Sequence, residues 1–354
     1  MAEENPFAER LADLERRAAR RRLDAVLLFG EANVRALTDV VCDNGCLAVV
    51  PGRAPVFITD FRYVPMAHRV APWLRTVQLR RGRSFAEVAK GLLPRGVRRL
   101  GYEGSVPASR YLSLRKAFRG AALVDVAEDV LALRAVKTLP EIARITRAAG
   151  LNDEIWSLAR REMRPGMTEK DIQRVIRGFM NALGDGEAFE TIVCAGANAA
   201  ECHHVPDGTV WRRGEPLLVD MGVRLDGVCS DMTRCVRGRA PEYQGIYSLV
   251  LEANRAAIAA ARPGMTCGAL DKVARDVIRK AGYGKAFGHS LGHGVGYEIH
   301  EEPCARPKSA TVLEPGMFVT IEPGVYLEGR LGVRIEDLVL ITPDGCEAVT
   351  RSRK

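Results

Sequence analysis

The sequence predicts an α/β domain over residues 1–135 followed by an α+β domain over residues 136–354, the second built from two related halves about a pseudo-two-fold axis. Three observations lead there. Helical and strand patterns alternate with short connections over the first third of the chain. A helix start over Thr138 to Glu141, with Pro140 in its first turn, then opens a long amphipathic stretch. Finally, the segment RPGMT at 164–168 recurs at 262–266, an offset of 98.

In the first domain the order is a helix over Pro6 to Arg22, the apolar runs LDAVLLFG, CLAVVP and APVFITD, a helix in SFAEVAKGLL, the strand-like VRRLGYEG, a helix in SRYLSLRKAF and the run ALVDV. No G-x-G-x-x-G follows the first strand, so a dinucleotide site is not expected. In the second domain each RPGMT copy opens a helix, TEKDIQRVIRGFMNALG and TCGALDKVARDVIRKAGYG, and Thr168 with Asp171 has the spacing of a capping box.

Composition bounds the function. With 47% apolar and 27% charged residues over 354 positions, the chain reads as a globular protein of about two domains. No apolar run reaches the length of a membrane span, and the N-terminal stretch is a charged amphipathic helix rather than a signal peptide, so cytoplasmic is the expectation. Nine cysteines, an odd number with no second C-x3-C beside Cys42 and Cys46, read as reduced thiols. The net charge of +8 is spread along the chain, concentrating only at Arg16 to Arg22 and Arg80 to Arg83 without interleaved aromatics, so no nucleic-acid partner is expected.

The chemistry starts at VDMGVRLDGVCSDMTR, residues 219–234. Read as a hairpin turning at Asp226-Gly227, it pairs Leu225 with Val228 and Asp220 with Thr233, which puts Asp220 and Asp231 on one face. Converging acids in apolar strand need a proton, a cationic side chain or a metal ion. The second half repeats the pattern: Glu322 in MFVTIEPGVYL, Glu336 in GVRIEDLVLIT and His300 stand about 100 residues after Asp220, Asp231 and His203.

Four carboxylates in one apolar site suit two divalent cations. Oxygen-rich ligation with one imidazole suits Mn²⁺, Co²⁺, Fe²⁺ or Zn²⁺. The imidazole is expected from His293 in FGHSLGHGVG; His289 lies four residues earlier, one turn away were the stretch helical. Such a site positions and acidifies a bridging water and polarises the carbonyl it attacks, the chemistry of amide or ester hydrolysis. His203 and His300 remain to donate hydrogen bonds to the substrate carbonyl and the oxyanion. His204 and His68 read as structural, and His289 either as structural or as a substrate neighbour. Arg334 reads as an ion pair with a site carboxylate, a substrate contact, or both.

The order Asp220, Asp231, His293, Glu322, Glu336, set in VDMG, SDMTR, GHGVG, TIEPG and RIED over residues 137–354, resembles the pita-bread metallopeptidases, which include methionine aminopeptidases, aminopeptidase P and Xaa-Pro dipeptidase. The resemblance implies a creatinase-type N-terminal domain before a pita-bread catalytic domain. It also implies two metal ions bridged by Asp231 and Glu336, with Asp220 completing one and His293 with Glu322 the other. By the same resemblance Glu322 would shuttle a proton, His203 and His300 would be the substrate and oxyanion histidines, and Tyr326 and Arg334 would lie near the substrate. The implied activity is hydrolysis of the Xaa-Pro bond in peptides with proline second, by a homodimer. Cys304 departs from the arginine that dipeptidases carry after the IHEEP motif, which favours longer peptides. The rival readings are a metal-free binding or scaffold module and a metal-dependent hydrolase of a small non-peptide amide; all five ligand positions being present argues against the first.

Overall fold

In a computed structural model, which describes residues 7–354, the chain divides into one unit ending at Arg134 and a second running Ala135–Lys354. The first residues of the expected N-terminal helix, through Pro6, lie outside the described residues.

The first unit runs α1 (Ala8–Arg20), β1 (Ala25–Leu28), α2 (Glu31–Thr38), β2 (Gly45–Val49), β3 (Val56–Thr59), α3 (Val64–Val70), β4 (Arg75–Gln78), α4 (Phe85–Leu92), β5 (Arg99–Tyr102), α5 (Ala108–Ala117), β6 (Ala122–Asp125) and α6 (Ala127–Ala135), whose last residue crosses the division. Its strands form one mixed sheet in the order β4-β3-β2-β1-β5-β6. The central strands are buried at every position because both sheet faces are covered, which is why AVLL and GCLAV read as unbroken apolar runs. Alternate side chains go to opposite cores: Val26, Leu28, Leu47 and Val49 pack with Leu11 and Leu14 of α1, while Ala25, Leu27, Cys46 and Ala48 pack with Phe85 and Ala89 of α4.

Four elements of this unit carry no strong local signal. Helix α2 begins at Gly30 without a side-chain cap of its own; Glu103, far along the chain, accepts the Gly30 N–H at 2.9 Å instead. Strand β4 is a half-exposed edge with no apolar alternation. Helices α3 and α6 are short and are held by the sheet they cover.

The second unit runs α7 (Leu139–Glu162), α8 (Glu169–Leu183), β7 (Ile192–Ala195), β8 (Leu217–Met221), β9 (Arg224–Leu225), β10 (Val228–Cys229), β11 (Met232–Val236), α9 (Pro241–Ala260), α10 (Cys267–Lys280), β12 (Gly292–Gly294), β13 (Glu301–Ala305), β14 (Phe318–Ile321), β15 (Gly324–Leu327), β16 (Leu331–Arg334), β17 (Asp337–Thr342) and β18 (Gly345–Ala348). Helix α7 starts on a full capping box between Thr138 and Glu141, an arrangement worth about 1 kcal/mol.

Each half pairs two helices with a three-stranded antiparallel sheet, β11-β8-β7 in the first and β14-β17-β18 in the second. Each keeps its own core, Ile172, Ile176, Val193 and Val219 in one and Leu270, Ala274, Val319 and Val339 in the other.

The RPGMT repeat is structural. Gly166 N donates to Trp211 O at 2.8 Å, and Gly264 N to Leu313 O at 2.9 Å. Trp211 N returns to Met167 O and Leu313 N to Met265 O, both at 2.9 Å. Both glycines have positive φ, 105° and 80°, a conformation that side chains disfavour. Thr168 and Thr266 then cap their helices, the first reciprocally with Asp171 and the second one-sidedly, since Ala269 has no carboxylate to return.

Candidate metal centre

The hairpin over β8 to β11 has the register expected of it: Leu225 faces Val228 and Asp220 faces Thr233. Asp226 and Gly227 carry φ of 50° and 71°, the paired positive angles of a tight hairpin turn. Gly222 is needed for close approach, because a Cβ there would lie 2.2 Å from Ser230 O. Asp231 therefore emerges beside Asp220 while the strands stay in contact.

Strands from the second half bring the remaining groups. Oxygen and nitrogen atoms of Asp231, His293 and Glu336 lie within 4.8 Å of one another. His293 Nε2 is 3.6 Å from Asp231 Oδ2 and 3.4 Å from Glu322 Oε1. Asp220 joins the group through its charge but turns Oδ2 toward Arg334, whose Nη2 donates to it at 2.7 Å. One of the four negative charges thus already has a buried cation, Arg334 being 3% exposed.

Burial and mutual repulsion dominate the electrostatics. Asp231 is held far above the ordinary carboxylate range by burial first, then by Glu336, Asp220 and Glu322. Glu336 is raised in the same way by burial, Glu322 and Asp220. Glu322 is pushed up to about 8, again chiefly by burial. His293 is lowered to about 4 by burial, and its Nδ1 is 3.0 Å from Gly294 O, which fits a neutral ring with Nδ1–H donating and Nε2 carrying the lone pair. Two buried carboxylate oxygens, Asp220 Oδ1 and Asp231 Oδ1, have no hydrogen-bond partner.

A lone pair facing ionised carboxylates, beside two orphaned oxygens, is unfavourable unless protons or metal cations take them up. The donor set of carboxylate oxygens with one imidazole fits divalent ions of the kind that accept O and N ligands.

Around this set runs a second layer. Arg334 donates from Nε to Thr233 Oγ1 at 3.0 Å, and Thr233 Oγ1 donates to Glu336 Oε2 at 2.8 Å. Arg334 Nη1 reaches Tyr326 OH at 2.9 Å and Cys202 O at 3.3 Å. Tyr326 OH lies 2.9 Å from His289 Nε2, whose other ring nitrogen is 2.7 Å from Ser290 O. Arg334, Tyr326 and His289 are therefore bonded to one another, and every Arg334 nitrogen has a protein acceptor.

The segment from His289 to His293 is not helical. Gly292–Gly294 is a strand, so the two rings are not helix neighbours. His289 packs edge-on against Phe287 and near Tyr326, whereas His293 packs edge-on against His300 with ring centroids 4.4 Å apart. The physical reason is backbone crowding: a Cβ at Gly292 would fall 1.8 Å from Thr320 O, so the chain runs flat against β14. His203 is exposed and lies close enough to His289 and His300 for its charge to disfavour theirs.

Several supporting residues escaped the sequence reading. Asn152 Nδ2 donates to Met221 O at 2.9 Å, and Asn254 Nδ2 donates to Ile321 O and Asp337 Oδ2, both at 3.0 Å. Both asparagines are fully buried, 102 residues apart, each tying a long helix to an acid-bearing strand. That offset matches the repeat, so the signal was present. Thr233 and Thr320 had none, being threonines in strands.

A second cluster, Glu169, His204 and Asp207, also brings possible ligand atoms within 4.8 Å. There each Glu169 oxygen already accepts two hydrogen bonds, from Ala195 N and Asn198 Nδ2 on one side and from His204 Nε2 and Asp207 N on the other. It reads as a closed hydrogen-bond cluster.

Residues 143–343 match the model of metallopeptidase family M24, and residues 10–136 that of the creatinase/prolidase N-terminal domain. A Pyrococcus furiosus protein named Xaa-Pro dipeptidase is 33% identical over 98% of this chain and 99% of its own. A solved Xaa-Pro dipeptidase from Bacillus anthracis superposes with a TM-score of 0.93 at 35% identity, covering 98% of each chain. A solved X-Pro aminopeptidase from Thermotoga maritima gives 0.86 at 31%, covering 95% of this chain and 98% of that one. With the family model covering more than half of the sequence and a carboxylate–imidazole centre at its middle, the chain belongs to metallopeptidase family M24 and carries a creatinase/prolidase N-terminal domain.

Proposed function

We propose that the chain is a two-metal exopeptidase that hydrolyses the bond between an N-terminal residue and a following proline. The observation that carries the metal requirement is the pair of buried, unpartnered oxygens, Asp220 Oδ1 and Asp231 Oδ1, in the same pocket as a neutral His293. Asp231 and Glu336 would lie between the two ions, Asp220 would complete one and His293 with Glu322 the other. Divalent ions held there supply Lewis-acid polarisation and an acidified water. Mn²⁺ or Co²⁺ suits this oxygen-rich set, and Zn²⁺ or Fe²⁺ is compatible with it.

The chain's own groups do the rest. Glu322, whose Oε1 lies 3.4 Å from His293 Nε2 among the other site carboxylates, is placed to accept a proton from the nucleophile and return it to the leaving amine. His300, kept neutral by burial, donates to the substrate oxygen, and His203 does so from the exposed side of the same pocket. Arg334 holds Asp220 and Tyr326 in position, and through Tyr326 it orients His289.

The names of the relatives support proline in the second position of the substrate. Cys304 bears on peptide length. A thiol carries no positive charge in either protonation state, so this position offers no cation to a dipeptide's C-terminal carboxylate. That supports turnover of peptides longer than two residues. The composition and the unpaired cysteines support a cytoplasmic protein and the family resemblance a homodimer; no described helix is long and apolar enough to cross a membrane.

The test compares Ala-Pro with Ala-Pro-Ala after reconstitution with each divalent metal in turn. Cleavage of both, or of the tripeptide faster, is the expected result. No cleavage of either with any metal would refute the peptidase reading, and turnover of a non-peptide amide instead would identify the rival hydrolase. Light scattering reads the oligomer directly.

A further inference from the structure

We propose that His204 is a positioning residue: clasped by Glu169, it fixes the loop that presents its neighbour His203 to the substrate. The inference rests on the reading of His203 as a substrate contact.

The loop joins two anchors. On one side the Cys202 carbonyl accepts a hydrogen bond from Arg334 at 3.3 Å. On the other, Asp207 returns to the start of α8, its N donating to Glu169 Oε2 at 3.0 Å and its O accepting from Lys170 N at 3.2 Å. Between them His203 and Val205 are exposed, Pro206 is buried, and His204 is the inward side chain that makes polar contacts, its side chain 9% exposed. His204 Nε2 meets Glu169 Oε2 at 2.8 Å, and Asn198 Nδ2 sits 3.2 Å from the same nitrogen.

Glu169 is itself immobile. It is fully buried at the first turn of α8 and accepts four hydrogen bonds, the capacity of a carboxylate. A buried, fully satisfied anion holding the inward polar side chain of the loop is a fixed point, and His203 is a single residue from it. Burial alone would favour the neutral imidazole, but Glu169, with Glu201 and Asp207 beside it, raises His204 above its ordinary range and makes the contact charge-assisted.

A double-mutant cycle tests this, using His203→Ala, His204→Ala and the double variant, all metal-loaded and all checked for metal content and circular dichroism. The expected result is a loss of about 10- to 100-fold in kcat/KM for His204→Ala, the scale for a misplaced substrate contact. The double variant should be no worse than His203→Ala, because His204 acts only through it. His204→Gln, which keeps a nitrogen donor at similar reach, should recover most of the loss.

Glu169→Gln, which preserves shape but turns half of the carboxylate into a donor facing His204, is the second perturbation should His204→Ala not fold; it should also give no additional loss in the His203→Ala background. Losses that multiply in the double variants would overturn the proposal, as would wild-type kinetics of His204→Ala beside an impaired His203→Ala. Wild-type kinetics of His203→Ala would overturn the reading of His203 and the clasp with it.

Discussion

Stripped of metal, the second unit should lose stability as the pH rises from 4.5 toward about 8, the reverse of what a salt-bridged carboxylate produces. Asp231, Glu336 and Glu322 are all raised by burial and by one another's charge. A carboxyl with a raised folded-state pKa keeps its proton in the folded chain after the unfolded chain has released it. The unfolded state then binds fewer protons, so the unfolding free energy falls with rising pH until the folded pKa is passed. Below the unfolded value the stabilisation is fully present.

Each proton retained only in the folded state costs about 1.4 kcal/mol per pH unit. Glu322 alone, moved from 4.5 to about 8, would remove on the order of 4 kcal/mol across that window. Asp231 and Glu336 steepen the slope. The assay is urea unfolding of chelator-treated protein at pH values from about 5 to about 8.5, followed by fluorescence in a Trp73→Phe background so that Trp156 and Trp211 report on the second unit. Metal-loaded protein should show a much flatter profile, since the ions displace the protons. Stability that is constant or rises over this range without metal would refute the reasoning, for it would mean that Arg334 and the surrounding dipoles already stabilise the ionised acids.

Three other outcomes follow from the same geometry. Asp231→Ala should lose most of its bound metal and nearly all activity, and two tight metals per chain by elemental analysis in that variant would exclude it as a shared ligand. His300→Ala should fold and load metal normally with kcat down by about two orders of magnitude, the scale of a lost oxyanion donor; an unchanged kcat removes it from the catalytic set. Gly332→Ala should cost about 1–3 kcal/mol in an unfolding titration, as overpacking does, because its Cβ would lie 1.6 Å from Ala199 O, under the turn that leads to His203.

The sequence by itself determined the parts whose cause is local. Asp226-Gly227 dictates a turn with both φ angles positive, the period of the flanking strands then fixes which residues share a face, and Asp220 and Asp231 follow. The RPGMT loop needs its glycine and its capping threonine, so its recurrence announced two similar halves. Regular helices, apolar central strands and the ligand types were legible for the same reason.

What only the tertiary structure decided are the contacts between distant stretches. Helix α2 is capped by Glu103, Thr233 relays Arg334 to Glu336, and Gly292 is pressed so close to Thr320 that the His289 to His293 stretch cannot coil. Arg334 is the clearest case. From sequence its guanidinium could serve substrate or structure; in the fold its nitrogens go to Asp220, Thr233, Tyr326 and Cys202, because a buried charge must satisfy every donor where it lies. Those partners come from four separate segments, and no spacing within one segment could have announced them.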